Sequence, residues 1–399
     1  SDAVSKTTTF NGSTTFTITP NDGYTLEEAE VNCTGGTLTD NTLTIKNIRK
    51  NITCEITLQE DGTFKSGTLA AQILIDNPTV SERTDFSTTF DEETTGSIYK
   101  TNKTENGTDV YYYAGATTNN WVLFGGFYWR IIRTNEDKSV RIILNTHIEE
   151  GSNSSQEFNN SYTNTKRAVG YMYGTTNDTL TSCRENTNDS TIKTTIDTWY
   201  KNNLLTNYDK YISKTAIYCN DRSIGKYTYS DNYFEYGSTV RITNNTPSYK
   251  CGSDGTSNGT FESNSDERKK DMFSVSTTKG GNGKLTYPVA LITADELVFA
   301  GGYPDLNNNA WIKDLDDETY LWTMTPDRWN TSYPYMWSIN NGVNSKYGRL
   351  ISTRTRTDFT TKTIPVISLK ACVKYSRGDG TSSSPYEVTI DDTCASKEN

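Results

Sequence analysis

WVLFGGFYWRIIRTNEDKSVRIILN, residues 121–145, decides how the chain is to be read. Aromatic and β-branched residues dominate both sides of Asn135-Glu136-Asp137-Lys138, a polar four-residue turn signal. Two strands around such a turn make a β-hairpin. The same chemistry recurs along the chain. Hydrophobic residues are only 33% of the 399, yet aromatics alone reach 12%, so much of what can be buried is ring. Rings and β-branched side chains fit a half-buried pleated surface, and long runs of good helix formers are missing, which predicts a mostly β protein.

Two helices interrupt this pattern. In DSTIKTTIDTWYKNNLL, Ile192, Ile196, Trp199, Tyr200 and Leu204 make one apolar stripe, with Asp189 or Ser190 as N-cap. In LITADELVFAGG, Thr293 and Glu296 have capping-box spacing and Gly301 supplies the stop. β patterning returns from Tyr320 onward, so the main domain is expected to be α+β over residues 86–399. Residues 206–285 are rich in turn signals and read as a long insertion. Residues 1–60 alternate short β runs with NGS, NDG and TGG turns, as in a small antiparallel sandwich. Residues 61–85 read as a short helix, stopped at Asn77-Pro78, and a linker; the polar stretch 79–108 reads as an extended approach to the main domain.

Seven cysteines include no C-x-x-C pair, and His147 is the only histidine, which leaves too few ligands for a common zinc site. Proximity in sequence pairs Cys33 with Cys54, Cys219 with Cys251, and Cys372 with Cys394, leaving Cys183 over. Persisting disulfides imply an oxidising compartment outside the cytosol. The 49 acidic against 39 basic residues give a net charge of −10, and no basic run could neutralise a phosphate backbone, so nucleic acid is not an expected partner. No stretch approaches the roughly 20 apolar residues of a membrane span. The opening SDAVSKTTTF carries no hydrophobic leader and the closing DDTCASKEN no sorting signal, so an ectodomain trimmed of its anchor, with further domains after it, is the expectation.

Residues 1–60, through NGSTTFTITPNDGYTL and NTLTIKNI…ITCEITL, resemble the Ig-like and internalin B-repeat-like modules of bacterial surface proteins, whose usual job is a stalk. NNWVLFGGFYWRIIRTNEDKSVRIILN, STIKTTIDTWYKNNLL, CNDRS, TYPVALITADELVFAGG, YLWTMTP, IPVISLK and GDGTSSSPYEV resemble, in that order, bacterial cell-surface domains of the C-type lectin-like superfamily. That group is related in fold to formylglycine-generating enzymes and to the variable proteins of diversity-generating retroelements. Over roughly residues 62–390 the resemblance implies a two-helix, twisted-sheet domain whose irregular C-terminal half displays a ligand. Departures exist. Thr363-Ile364-Pro365-Val366 stands where the family often has Val-Arg-Pro-Val, and neither the calcium-dependent sugar signature of animal lectins nor the cysteines of formylglycine-generating enzymes can be located.

Other motifs carry less. Ser276-Thr277-Thr278-Lys279 and Ser230-Asp231-Asn232 match two signatures of penicillin-recognising enzymes, but in reversed order. His147 has no nucleophile elbow with which to build a triad. Asp314, Asp316, Asp317 and Glu318 offer carboxylates for glycoside hydrolysis or for calcium, but read best as a solvated turn without EF-hand spacing, and no cofactor is expected. Arg377-Gly378-Asp379 sits in Gly-Asp-Gly turn chemistry and is read as incidental.

The remaining stretch, YLWTMTPDRWNTSYPYMWSINNG at 320–342, holds three tryptophans and three tyrosines. Trp322 reads as core, as does the face Tyr335, Trp337 and Ile339. PDRWNTSYP, bounded by two prolines, reads as a loop with Trp329 at its centre. The expected function is that of a non-catalytic bacterial surface protein binding a glycan or a host or neighbouring-cell protein through Arg328, Trp329, Asn330 and Tyr333, with Asn344, Lys346 and Tyr347 from the following turn. Alternatives are a retroelement-diversified receptor, a carbohydrate-active enzyme using acidic residues, and a structural pilus or surface-layer component.

Overall fold

The computed structural model describes residues 4–20, 24–60, 64–148, 155–159, 165–175, 179, 182–225, 233–252, 265–302, 310–315, 320–330, 333–340, 349–356 and 360–397. Strand, at 35%, outweighs helix, at 18%, as the aromatic and β-branched composition predicts. The chain forms two compact units that divide between Ser66 and Gly67.

In the first unit, β1 (Gly12–Thr17), β4 (Thr42–Ile48) and β3 (Gly36–Thr39) make one antiparallel sheet, and β2 (Tyr24–Asn32) pairs with β5 (Glu55–Glu60). Leu43 and Ile45 alternate inward from β4 and are its buried apolar residues. Cys33 and Cys54 are disulfide-bonded. A core this small gains roughly 2–4 kcal/mol from such a bridge.

The second unit corrects the linker reading. α1 (Leu69–Asp76) buries Leu69, Ala70, Ala71 and Ile73, and Thr68 caps it by accepting from Ala71 N. β6 (Thr79–Glu82), β7 (Ser97–Thr101) and β8 (Val110–Tyr112) then join the main sheet, where an extended approach was expected. The polar threonine-rich sequence is what an edge requires: all four residues of β6 are exposed.

The 121–145 stretch gives three strands rather than two. Gly125 and Gly126, at φ 64° and 83°, turn the chain between β9 (Trp121–Phe124) and β10 (Phe127–Thr134). The expected turn, closed by Asn135 N to Ser139 O at 2.7 Å, joins β10 to β11 (Val140–Leu144). One edge of β10 runs along β11, and the other is shared by β9 and β8. Trp129, Ile131, Ile142 and Ile143 are buried here. α2 (Thr191–Asn203) is capped by Ser190 and packs Trp199 against Trp129 and Phe127, with centroids at 6.1 and 5.6 Å.

The 206–285 segment is not a loop excursion. It contributes β12 (Tyr233–Glu235) and α3 (Gly237–Thr243) to the core, and its Asn220-Asp221-Arg222-Ser223 run is buried. α4 (Ala294–Phe299) carries the full capping box of Thr293 and Glu296. A second sheet has the order β12, β13 (Tyr320–Asn330), β14 (Tyr333–Asn340), β15 (Arg349–Arg356). β16 (Val366–Leu369) returns to pair with β11, and β17 (Lys374–Arg377) with β18 (Tyr386–Thr389) extends the main sheet beyond β9.

Cys219–Cys251 and Cys372–Cys394 are bonded, and Cys183 is a buried thiol that burial pushes up to about 11. Three disulfides are the chemistry of an oxidising, extracellular compartment. Among the described residues no helix is long and apolar enough to cross a membrane.

Candidate ligand-binding face

The two prolines do not make PDRWNTSYP a loop. β13 continues through Pro326, Asp327, Arg328 and Trp329 to Asn330, and β14 resumes at Tyr333, leaving only residues 331–332 between them. Pro326 is tolerated because it sits where the register breaks, between Trp322 and Arg328, and Pro334 because it is the second residue of its strand. The break is a β-bulge. Pro326 faces Met336 and Arg328 faces Tyr335, so Asp327 is the extra residue on β13. Neighbours in a regular strand point to opposite faces, and the bulge is what lets the Asp327 and Arg328 side chains meet.

The register then lays out a face of two rows. Tyr233 of β12 stands opposite Asn330, which stands opposite Tyr333; two residues along, Glu235 stands opposite Arg328, which stands opposite Tyr335. Rows are about 6.8 Å apart and strands about 4.8 Å apart. The row between them, Phe234, Trp329 and Pro334, points the other way and is buried. Tyr233, Glu235, Asn330, Tyr333 and Tyr335 are partly exposed.

Electrostatics organise this face around Arg328. Its Nε and Nη2 donate to Asp327 Oδ2 and Oδ1 at 2.8 and 3.2 Å, and its Nη1 donates to the Tyr233 hydroxyl at 2.7 Å and lies 3.3 Å from Glu235 Oε1. Tyr233 in turn donates to Glu235 Oε1 at 2.7 Å. Burial works against the Arg328 charge, but the bond to Asp327, its charge, and those of Tyr233 and Glu235 together outweigh it and hold the guanidinium protonated. Burial first, then the bond to Glu235, raises the Tyr233 phenol. α3 supports the bulge from inside: Ser238 Oγ donates to Pro326 O at 2.9 Å, and Thr239 Oγ1 lies 3.0 Å from Asp327 Oδ1 and accepts from Trp337 Nε1 at 3.1 Å.

The expected site residues divide accordingly. Arg328, Asn330 and Tyr333 share the face. Trp329, 4% exposed, lies beneath it and presents no ring to a ligand; its Nε1 is buried without a hydrogen-bond partner. The reading of Trp329 as a loop ring is corrected by its strand position. Asn344, Lys346 and Tyr347 lie outside the described residues. Trp322 and Trp337 are core, but Tyr335 is not, because burial of its face ends between Trp337 and Tyr335. Tyr233 and Glu235 were missed; the alternation Tyr233, Phe234, Glu235 was the available signal, obscured by the turn-rich sequence around it.

Elsewhere the other motifs find ordinary places. His147 Nε2 is 3.4 Å from Lys362 Nζ. Ser276 and Thr278 share an exposed turn, and Ser230-Asp231-Asn232 lie outside the described residues, as do Asp316, Asp317 and Glu318; Asp314 is exposed. Arg377 is ion-paired to Glu387, and Asp379 Oδ1 accepts from Thr381 N and Oγ1 inside its own turn. Among the described residues no group of three or more His, Cys, Asp or Glu could hold a metal ion.

In comparisons with known proteins, no protein-family model matches the chain, and neither does any curated protein or any solved structure.

Proposed function

We propose that this is a bacterial cell-surface binding protein, non-catalytic, in which an Ig-like stalk unit carries a C-type lectin-like domain, and that the ligand is a glycan held on the two-row face of β12, β13 and β14. The observation that carries the reading is the grouping of three tyrosines, an amide and a carboxylate, all partly exposed, on one rigid sheet face. Phenol rings stack on the apolar faces of sugar rings, and Asn330 and Glu235 orient hydroxyls by hydrogen bonds. The order of sequence blocks shared with surface C-type lectin-like domains supports the same reading. The disulfides suit a protein that works outside the cell.

The test is a glycan array with the full chain, followed by calorimetric titration of the best hit. Tyr333→Ala and Tyr335→Ala are each expected to weaken that hit about tenfold, the upper end for loss of one ring contact. An array without a hit, or a double variant that binds unchanged, removes the assignment.

A further inference from the structure

Resting on that reading, we propose that the saccharide carries a protonated amino group, which binds at Glu235. Arg328 gives Nε and Nη2 to Asp327 and Nη1 to Tyr233 and Glu235, so it cannot offer a two-pronged fork to a carboxylate, sulfate or phosphate without breaking one of these contacts. Its charge is already met by two carboxylates, the buried Asp327 and the partly exposed Glu235.

Glu235 is the opposite case. Oε1 accepts from Tyr233 and lies beside Arg328, whereas no described residue bonds Oε2, and the side chain is 17% exposed. One oxygen therefore fixes the carboxylate and the other is presented outward. A hydroxyl would satisfy Oε2 as a donor, but an ammonium adds attraction to the Glu235 carboxylate itself and to the negative faces of the neighbouring phenol rings. The chain's net charge of −10 acts in the same direction at longer range, steering cations inward and anions away.

The experiment titrates the full chain with three oligosaccharides of equal length: a glucosamine oligomer, its fully N-acetylated counterpart and a galacturonate oligomer. The expected order is amine, then neutral, then uronate, with the amine ahead of the neutral sugar by about fivefold, the upper end for a partly exposed ion pair. Glu235→Gln should bring amine and neutral affinities together, and Glu235→Asp should keep part of the difference; urea unfolding of each variant confirms that it is folded. A wild-type protein that binds amine and neutral sugars equally, or a preference that survives Glu235→Gln, overturns the charge proposal and leaves the glycan reading standing. Tightest binding of the uronate overturns it too. Failure of all three sugars to bind overturns the charge proposal, and the array then decides the glycan reading.

Discussion

Arg222 and Arg328 are both arginines held by an aspartate, and the difference between their surroundings separates scaffold from site. Arg222 Nε donates to Asp271 Oδ1 at 2.7 Å, Nη1 to the carbonyls of Met172 at 2.8 Å and of Cys183, and Nη2 to Asn186 Oδ1 at 2.9 Å and Lys270 O at 3.2 Å. It is fully buried, every arm of the fork is used, and four chain segments meet on it. Arg328 spends two arms of its fork on buried Asp327 but turns the third to the partly exposed Tyr233 and Glu235, and Glu235 keeps an oxygen with no described partner. Complete satisfaction in a dry interior is what a structural ion pair needs. An acceptor left over at a partly exposed edge is what a ligand needs.

The harshest way to break this comparison is to remove the hub. Arg222→Ala leaves Arg184, at 2.8 Å, as the one guanidinium beside buried Asp271, and takes the donor away from the carbonyls of Met172, Cys183 and Lys270 and from Asn186 Oδ1. The expected loss is about 5 kcal/mol, measured by urea unfolding of the larger unit, with little rescue by lysine because an ammonium lacks the planar fork. A loss below about 1 kcal/mol would put Arg222 on a level with a surface residue and end the distinction.

Sequence reading reached some of this architecture and not the rest, for physical reasons. The β10–β11 hairpin, the Ser190 cap, the capping box at Thr293 and three disulfide pairs are written locally, within a few residues or by cysteines with few other partners to choose from. The hub has no local signature. Met172, Cys183, Asn186 and Lys270 share no spacing with Arg222, and the buried segment around it has the composition of a loop because its polar groups, Asn220 Nδ2 excepted, are satisfied internally. The bulge at Asp327 hid the face in the same way: two prolines argue for a loop unless the register break that accommodates them is known. Tyr335 shares its strand face with Trp337, and periodicity cannot say where along that face burial stops.

A milder test uses acid. Glu296, fully buried, accepts from Arg133 Nε at 3.1 Å and Arg141 Nη1 at 2.8 Å, and Thr293 N donates to its other oxygen at 2.9 Å. Burial would raise its carboxyl, but the two guanidiniums and the Thr293 bond overcome that and hold it below the ordinary value of 4.5. The unfolded chain therefore takes up a proton before the folded one does. Stability from this group is fully present above about pH 4.5 and is lost as pH falls through the lowered folded value. Melting temperature followed from pH 6 downward should show this loss, and Glu296→Gln should flatten it while costing about 3 kcal/mol at neutral pH, where two buried guanidiniums lose their shared counter-charge. If the acid limb is the same in wild type and variant, the buried ionic core does not carry the pH dependence.

The smallest expected effect is the most discriminating. Glu235 belongs to an ion pair as Asp271 does, and its side chain touches a guanidinium and a phenol. If its part is to meet a ligand rather than to hold the sheet, Glu235→Gln should change unfolding free energy by no more than about 0.5 kcal/mol, because the amide oxygen still accepts from Tyr233 and the Arg328 charge keeps its bidentate partner Asp327. Asp271→Asn, the matching substitution in the hub, should cost several times more, since Asp271 takes two hydrogen bonds from Arg222 and pairs in charge with Arg184, with no exposed side to relax into. Urea curves for the two variants, compared at equal slope, give the answer. A loss above about 2 kcal/mol for Glu235→Gln would make the outward face another piece of scaffold, and a change within noise would show that this carboxylate can be altered without cost to the fold, as a residue kept for a ligand should be.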